Sequence, residues 1–148
     1  MRITSRFTIA VHILTAVEYF SGSMTVTGRF LAGSIGANPV IVRALAGKLR
    51  DAGFLNMSQG KSGITLAKPL NKITFYDVYK IADSVDETGL FHFHENPNIL
   101  CPVGRNIHKG LDGKLQDVQK AMEDKMRGIT LADVMADTLR AIENEDKN

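Results

Sequence analysis

The segment that most limits what this chain can fold into is Gly36-Ala37-Asn38-Pro39-Val40-Ile41-Val42-Arg43. Glycine reaches the positive φ of a tight turn without a Cβ penalty. Asparagine is a strong helix N-cap, and proline suits the first helical position, where its missing N–H would lack an intrahelical partner anyway. One helix must therefore end before Gly36 and another begin at Pro39. That is the turn and second helix of a helix-turn-helix, with the stretch from Thr27 to Leu66 around it.

The flanking pattern supports that reading. Phe7, Ala10, Val11, Leu14 and Val17 fall at the spacing of one helical face, so residues 5–20 read as a helix capped by Thr4 or Ser5 and ended by Ser21-Gly22-Ser23. His12 lies within it as a packing or surface residue. Thr25 or Thr27 caps a short second helix to about Ile35, with Phe30, Leu31 and Ile35 as its apolar contacts. The third helix runs from Pro39 to about Ala52 and stops at Gly53, with Val42, Leu45, Leu49 and Ala52 as its inner stripe. Its opposite stripe is Val40, Arg43, Ala44, Gly47 and Lys48. Small residues there allow bases to come close, and cations at the edges meet phosphates, as a helix in a DNA major groove requires. The alternative is an ordinary helical hairpin with a solvated face.

The next residues favour the groove reader. Phe54 to Met57 and Ile64 to Leu66 are strand candidates around the glycine-rich turn Ser58-Gln59-Gly60-Lys61-Ser62-Gly63. A hairpin directly after a recognition helix is a wing, and Lys61 beside Gly60 can approach a phosphate or enter a minor groove.

Charge divides the chain in the same place. Residues 1–72 hold nine Lys or Arg and two acids, a net of +7, whereas residues 73–148 hold nine and fourteen, a net of −5. A basic half joined to an acidic half suggests a polyanion-binding face and a second region with another task. Hydrophobic residues make up 44% of the 148, enough for a core, and no apolar run reaches membrane-spanning length. The start, Met1 to Arg6, leads straight into an amphipathic pattern rather than a signal peptide. With a single cysteine excluding an internal disulfide, the expected location is the cytoplasm.

Beyond a polar link at 67–72 containing Pro69, Thr74 and Asp77 suit a capping box for a fourth helix over 75–83. An acidic loop over 83–89, an alternating Phe91-His92-Phe93-His94 that reads as extended, and an Asn96-Pro97-Asn98 turn follow. Pro102 opens the longest helical pattern. Val103, Ile107, Leu111, Leu115, Val118 and Met122 recur at spacings of 4, 4, 4, 3 and 4, a narrow stripe close to a coiled-coil seam. Helical to Met126, it would span about 37 Å, and a domain this small cannot bury it; pairing with a second copy is the natural solution. Gly110 and Gly113 weaken it by about 1 kcal/mol each against Ala, and allow either close approach of a partner or a bend. Thr130 and Asp133 cap a last helix through Leu131, Val134, Met135 and Leu139, and the polar tail from Glu143 reads as frayed.

Asn38 to Arg43, the Leu49…Gly53 helix end, the Gly60…Gly63 wing and Ile73-Thr74-Phe75-Tyr76-Asp77-Val78-Tyr79 together resemble the Rrf-two family of bacterial transcriptional regulators. His94-Glu95-Asn96-Pro97-Asn98 followed by Cys101-Pro102-Val103-Gly104 is similar to its YwnA-like branch. The resemblance covers roughly residues 3 to 135. It implies a winged helix-turn-helix, a homodimer built on a long helix, and binding to a palindromic operator.

The expected fold is mainly α with a small β wing: a winged helix-turn-helix DNA-binding domain over 1–72, then a dimerisation and sensing region over 73–148 with a long C-terminal dimerisation helix. The expected function is a DNA-binding repressor acting as a homodimer on an inverted-repeat operator in double-stranded DNA, open to an effector of unidentified chemistry. Arg43, Lys48 and Lys61, with Arg2, Ser5 and Arg6 at the first helix, would anchor phosphates; Asn38, Pro39 and Val40 would face bases, with Thr27, Ala44 and Gly60 lining the contact.

Some members of the family bind an iron–sulfur cluster through three cysteines near the start of the long helix. Only Cys101 stands there in this chain, too little sulfur for such a cluster, so no cofactor and no metal is expected. His92, His94, Cys101 and His108 match no strong zinc motif. As the N-cap of the long helix, with Arg105 nearby, Cys101 is a candidate redox sensor whose thiolate the helix dipole would favour; the alternative is a cap residue with no sensing role. No phosphate-cradling glycine loop or nucleophile elbow occurs, so an enzyme is not expected. Two rival readings stand beside the regulator: a winged-helix protein-interaction module without DNA binding, and a small metal- or thiol-dependent enzyme.

Overall fold

A computed structural model describes residues 3–58, 63–83 and 89–147. Arg2, Gly60 and Lys61, three of the expected DNA contacts, lie outside the described residues, as does most of the acidic loop. The element order is α1 (Ser5–Phe20), α2 (Gly28–Ile35), α3 (Pro39–Asp51), β1 (Leu55–Met57), β2 (Ile64–Leu66), a 3₁₀ turn (Leu70–Lys72), α4 (Phe75–Ala82), α5 (Pro102–Arg127) and α6 (Leu131–Asp146). Among the described residues no single helix is long and apolar enough to cross a membrane.

The turn forms as its residues dictate. Gly36 takes φ 71°, and its N–H donates to the Ala32 carbonyl at 2.9 Å. Asn38 Oδ1 accepts from the Val40 N–H at 2.8 Å, and Pro39 opens α3. Between α2 and α3 the chain turns through 116°, within the helix-turn-helix range. Thr27 caps α2 and Thr4 caps α1, which resolves both alternatives.

α1 is the central helix. It packs on α2, α3, α4, α6 and β2, so Ile13 and Ala16 are buried beside Phe7, Ala10, Leu14 and Val17, while Val11 is half-buried. A single apolar stripe understated it because neighbours cover more than one side. On α3 the inner stripe is Val42, Leu45, Ala46 and Leu49; Ala52 is the exposed C-cap rather than core. Phe54 precedes β1 and is buried under it.

The wing is antiparallel, with Leu55 opposite Leu66 and Met57 opposite Ile64. Val26 adds a bridge to Gly63, and the Ile64 N–H donates to the Val26 carbonyl at 2.9 Å, tying the wing to the segment before α2. Gly63 has φ 61°, and a Cβ there would sit 2.4 Å from the Val26 oxygen, so no other residue fits.

α4 and α6 start side by side. Both capping boxes form, Thr74 with Asp77 and Thr130 with Asp133. The Phe75 N–H donates to Ile129 O at 2.9 Å and the Leu131 N–H to Ile73 O at 2.8 Å. Val78, Tyr79, Ala82, Leu131 and Met135 join the same hydrophobic cluster as α1 to α3. The division near residue 72 follows charge; the packed core runs across it. α6 continues to Asp146, so the tail expected to fray is helical almost to its end.

α5 has 26 residues, about 39 Å of helix, and none of them is buried. Residues 89–98 approach it without forming a strand, against the extended reading of Phe91 to His94.

Candidate nucleic-acid interface

The exposed face of α3 carries the expected stripe. Val40 is 68% exposed, and Arg43, Ala44 and Lys48 are exposed with it; Gly47 is half-buried. An apolar side chain this open at the start of a helix has no packing explanation within the chain. Between Glu18 and Asp51 there is no acidic residue, so the field over this face is positive and unopposed. Arg50 pairs with Asp51, Nε to Oδ1 at 3.1 Å.

Asn38 has two demands on one side chain. Its Oδ1 holds the Val40 N–H, leaving the Nδ2 amide as the donor available to a base or phosphate. Thr27 is exposed, and its Oγ1 accepts from the Phe30 N–H at 3.1 Å. Ser5 and Arg6 are exposed at the start of α1. That helix end is fixed by Thr4, whose hydroxyl donates to the buried Asp83 carboxylate at 2.6 Å and accepts from the Arg6 N–H at 3.2 Å. The bond joins the start of α1 to the end of α4, a link across 79 residues that no sequence pattern announced.

Arg29 is the residue that sequence reading passed over. It follows Gly28 at the start of α2 and, with Arg43 and Pro39, lines a concavity of about 400 Å³. A second cavity of about 370 Å³ lies under the wing, where Arg43 and Arg50 meet Thr25, Met57 and Ile64. The acid-free run from 19 to 50 was the available signal.

At the start of α5, Cys101 is exposed and is the N-cap; its Sγ accepts from the Gly104 N–H at 3.5 Å. Arg105, expected near the sulfur, donates from its Nη1 to the Ile99 carbonyl at 3.0 Å. Gly104 has a packing reason, because a Cβ there would lie 2.5 Å from the Asn98 oxygen. His94 and His108 rings approach to 5.2 Å, and His108 Nδ1 is 3.0 Å from Asp112 Oδ1. Among the described residues no three His, Cys, Asp or Glu side chains converge as a metal would need, so the zinc grouping of His92, His94, Cys101 and His108 does not form.

Of the expected pairing seam, Val103 and Val118 are 68% and 54% exposed, and Ile107, Leu111 and Leu115 are half-buried. Met122 already packs against the core of its own chain.

Comparison with known proteins agrees with this geometry. Residues 3–137 match the family model described as Rrf2, iron-dependent transcriptional regulator. The chain is 37% identical over 133 residues to the "Putative HTH-type transcriptional regulator YwnA" of Bacillus subtilis (strain 168), covering 90% of this chain and 96% of that protein. A crystal structure described as that of a "putative DNA binding protein" superposes with TM-score 0.68 at 30% identity, covering 88% of this chain and 99% of the other. IscR of T. potens superposes with TM-score 0.67 at 20% identity, over 95% of this chain and 90% of its own, and is similar in fold. The iron of the family description does not fit the residues present here: the chain's one cysteine cannot ligate a thiolate-held cluster, and no alternative donor set gathers among the described residues.

Proposed function

The chain belongs to the Rrf2 family of transcriptional regulators, and on that premise we propose that it is a cytoplasmic repressor that binds an inverted repeat in double-stranded DNA as a homodimer. The observation that carries the reading is the outer face of α3, where Val40, Arg43, Ala44 and Lys48 are exposed in a stretch without acids. α3 would lie in the major groove, with Val40 toward thymine methyl groups and the Asn38 amide toward a base or phosphate acceptor. Arg43 and Lys48, with Ser5 and Arg6 at α1, would hold phosphates on either side, joined by Arg2 and by Gly60 and Lys61 of the wing.

Dimerisation is supported by α5, in which no residue is fully buried within one chain and Val103 and Val118 are exposed. Val103, Ile107, Leu111, Leu115 and Val118 would meet their counterparts on a second α5 and set the distance between two copies of α3. Cys101 at the start of that helix is exposed, so its oxidation to sulfenic acid or to an intersubunit disulfide would act where the spacing is set. An effector other than oxidant could act on the same segment.

The test is a gel shift with genomic fragments across a salt series. Binding should weaken with salt. Lys48→Ala should weaken binding to all sequences, while Val40→Ala should change sequence preference; the reverse pattern, or no binding at low salt, would remove the assignment. For the thiol, Cys101→Ser should abolish release from DNA by peroxide, and unchanged release in that variant sinks the redox role.

A further inference from the structure

Gly28, Arg29 and Arg43 are, we propose, a seat for one phosphodiester group of the DNA backbone, held between the start of α2 and the first turns of α3. The proposal rests on the DNA-binding reading above and deepens it by naming a contact residue, Arg29, and the group it holds.

The seat is the concavity of about 400 Å³ lined by Gly28, Arg29, Pro39 and Arg43. Arg29 and Arg43 make no hydrogen bond and no ion pair among the described residues, whereas Arg50, Arg127 and Arg140 are all paired with carboxylates. Two unpaired guanidinium groups around one hollow repel each other unless an anion lies between them, and the acid-free stretch from 19 to 50 supplies none from nearby sequence. A guanidinium presents a planar fork of donors that matches two oxygens of a phosphate, which makes phosphate the fitting chemistry.

Gly28 gives the seat its shape. A Cβ at that position would come 3.3 Å from Arg43 Cγ and 3.9 Å from its Cδ, so the Arg43 stem lies across the first residue of α2. Pro39 also lines the hollow and brings no N–H of its own. The Gly28 and Arg29 N–H groups, in the first turn of α2, have no acceptor among the described residues and add two donors to the arginines. Arg43 also belongs to the exposed stripe of α3, and Pro39 directly precedes Val40. A phosphate in the seat therefore borders the groove that α3 would read, which selects a backbone phosphate over a free anion.

The experiment measures binding of the full-length protein to a selected genomic fragment by fluorescence anisotropy, as a function of salt. Arg29→Gln should reduce the slope of log K against log salt by roughly one for each half-site. Arg29→Lys should recover part of the loss. Arg140→Gln, which removes a charge on α6, should leave the slope unchanged. Gly28→Ala keeps every charge and favours the helix, yet displaces Arg43, and should also weaken binding. In wild type, a single neutral methylphosphonate scanned through the half-site should weaken binding at one position that becomes insensitive in Arg29→Gln. A wild-type slope retained in Arg29→Gln, with DNA binding intact, overturns the seat alone. Inorganic phosphate that competes with DNA at constant ionic strength, in wild type but not in Arg29→Gln, overturns the backbone assignment in favour of a free anion. Absence of DNA binding by the wild type overturns the DNA reading and the seat with it.

Discussion

Two glycines separate conformational strain from steric overlap. Gly36 and Gly63 both have positive φ, 71° and 61°, but a Cβ at Gly36 would meet open space while one at Gly63 would overlap the Val26 carbonyl. Gly36→Ala should therefore cost about 1–2 kcal/mol, the left-handed penalty alone. Gly63→Ala should cost clearly more and loosen the wing. Thermal denaturation of the pair checks this, and equal losses would mean the Val26 bridge yields without resistance. Asn38 poses a parallel question of dual use. Asn38→Asp keeps an N-cap oxygen, so stability should hold within about 0.5 kcal/mol, while DNA binding should drop because a carboxylate then faces the phosphates. Asn38→Ala should lose about 1 kcal/mol of stability as well. If the Asp variant binds DNA as the native protein does, Asn38 is a cap and nothing more. At this scale the caps, the turn glycine and the proline were legible in sequence because each obeys a local rule. The Thr4–Asp83 bond and the hollow shared by Arg29 and Arg43 were not, since both depend on residues brought together by tertiary packing.

At the level of elements, the helices and the hairpin were readable from periodicity and punctuation, and the errors have a common cause. α1 was assigned one buried face because an amphipathic stripe is the strongest pattern a sequence offers, yet it sits at the centre of the fold and buries Ile13 and Ala16 as well. Phe91 to His94 alternates like a strand but finds no partner edge, and alternation without a ladder makes no sheet. α5 is the element whose sequence and structure agree most closely. The long helix forms from Pro102 as expected and holds no fully buried residue in a single chain, although Met122 of the expected seam packs against its own core. Gly110 and Gly113 both face open space in one chain. Each should gain about 1 kcal/mol on replacement by Ala if it stays solvated. Gly110 adjoins Ile107 and Leu111 on the seam, so Gly110→Ala should lower dimer affinity while Gly113→Ala should raise stability; sedimentation equilibrium and thermal denaturation together distinguish the two.

For the whole molecule, one continuous core joins the basic residues of 1–72 to an acidic second half whose acids lie mostly outside α5. The charge division was visible in sequence; the continuity of the core across it was not, because α4 and α6 return to α1 from far along the chain. Rigid coupling of this kind would carry a change at the start of α5 to α3. Ile107→Glu places a carboxylate in the seam and should shift the protein to monomer with its fold intact, and operator affinity should fall at least tenfold, since a dimer engages two half-sites through one linkage. The measurement that tests the account most directly is selection of genomic fragments by the purified protein followed by sequencing. Two copies of α3 in one dimer should select an inverted repeat with half-site centres one helical turn of DNA apart, about 10–10.5 base pairs, or a multiple of it. Enriched fragments that share no motif, or only an isolated half-site, would contradict it.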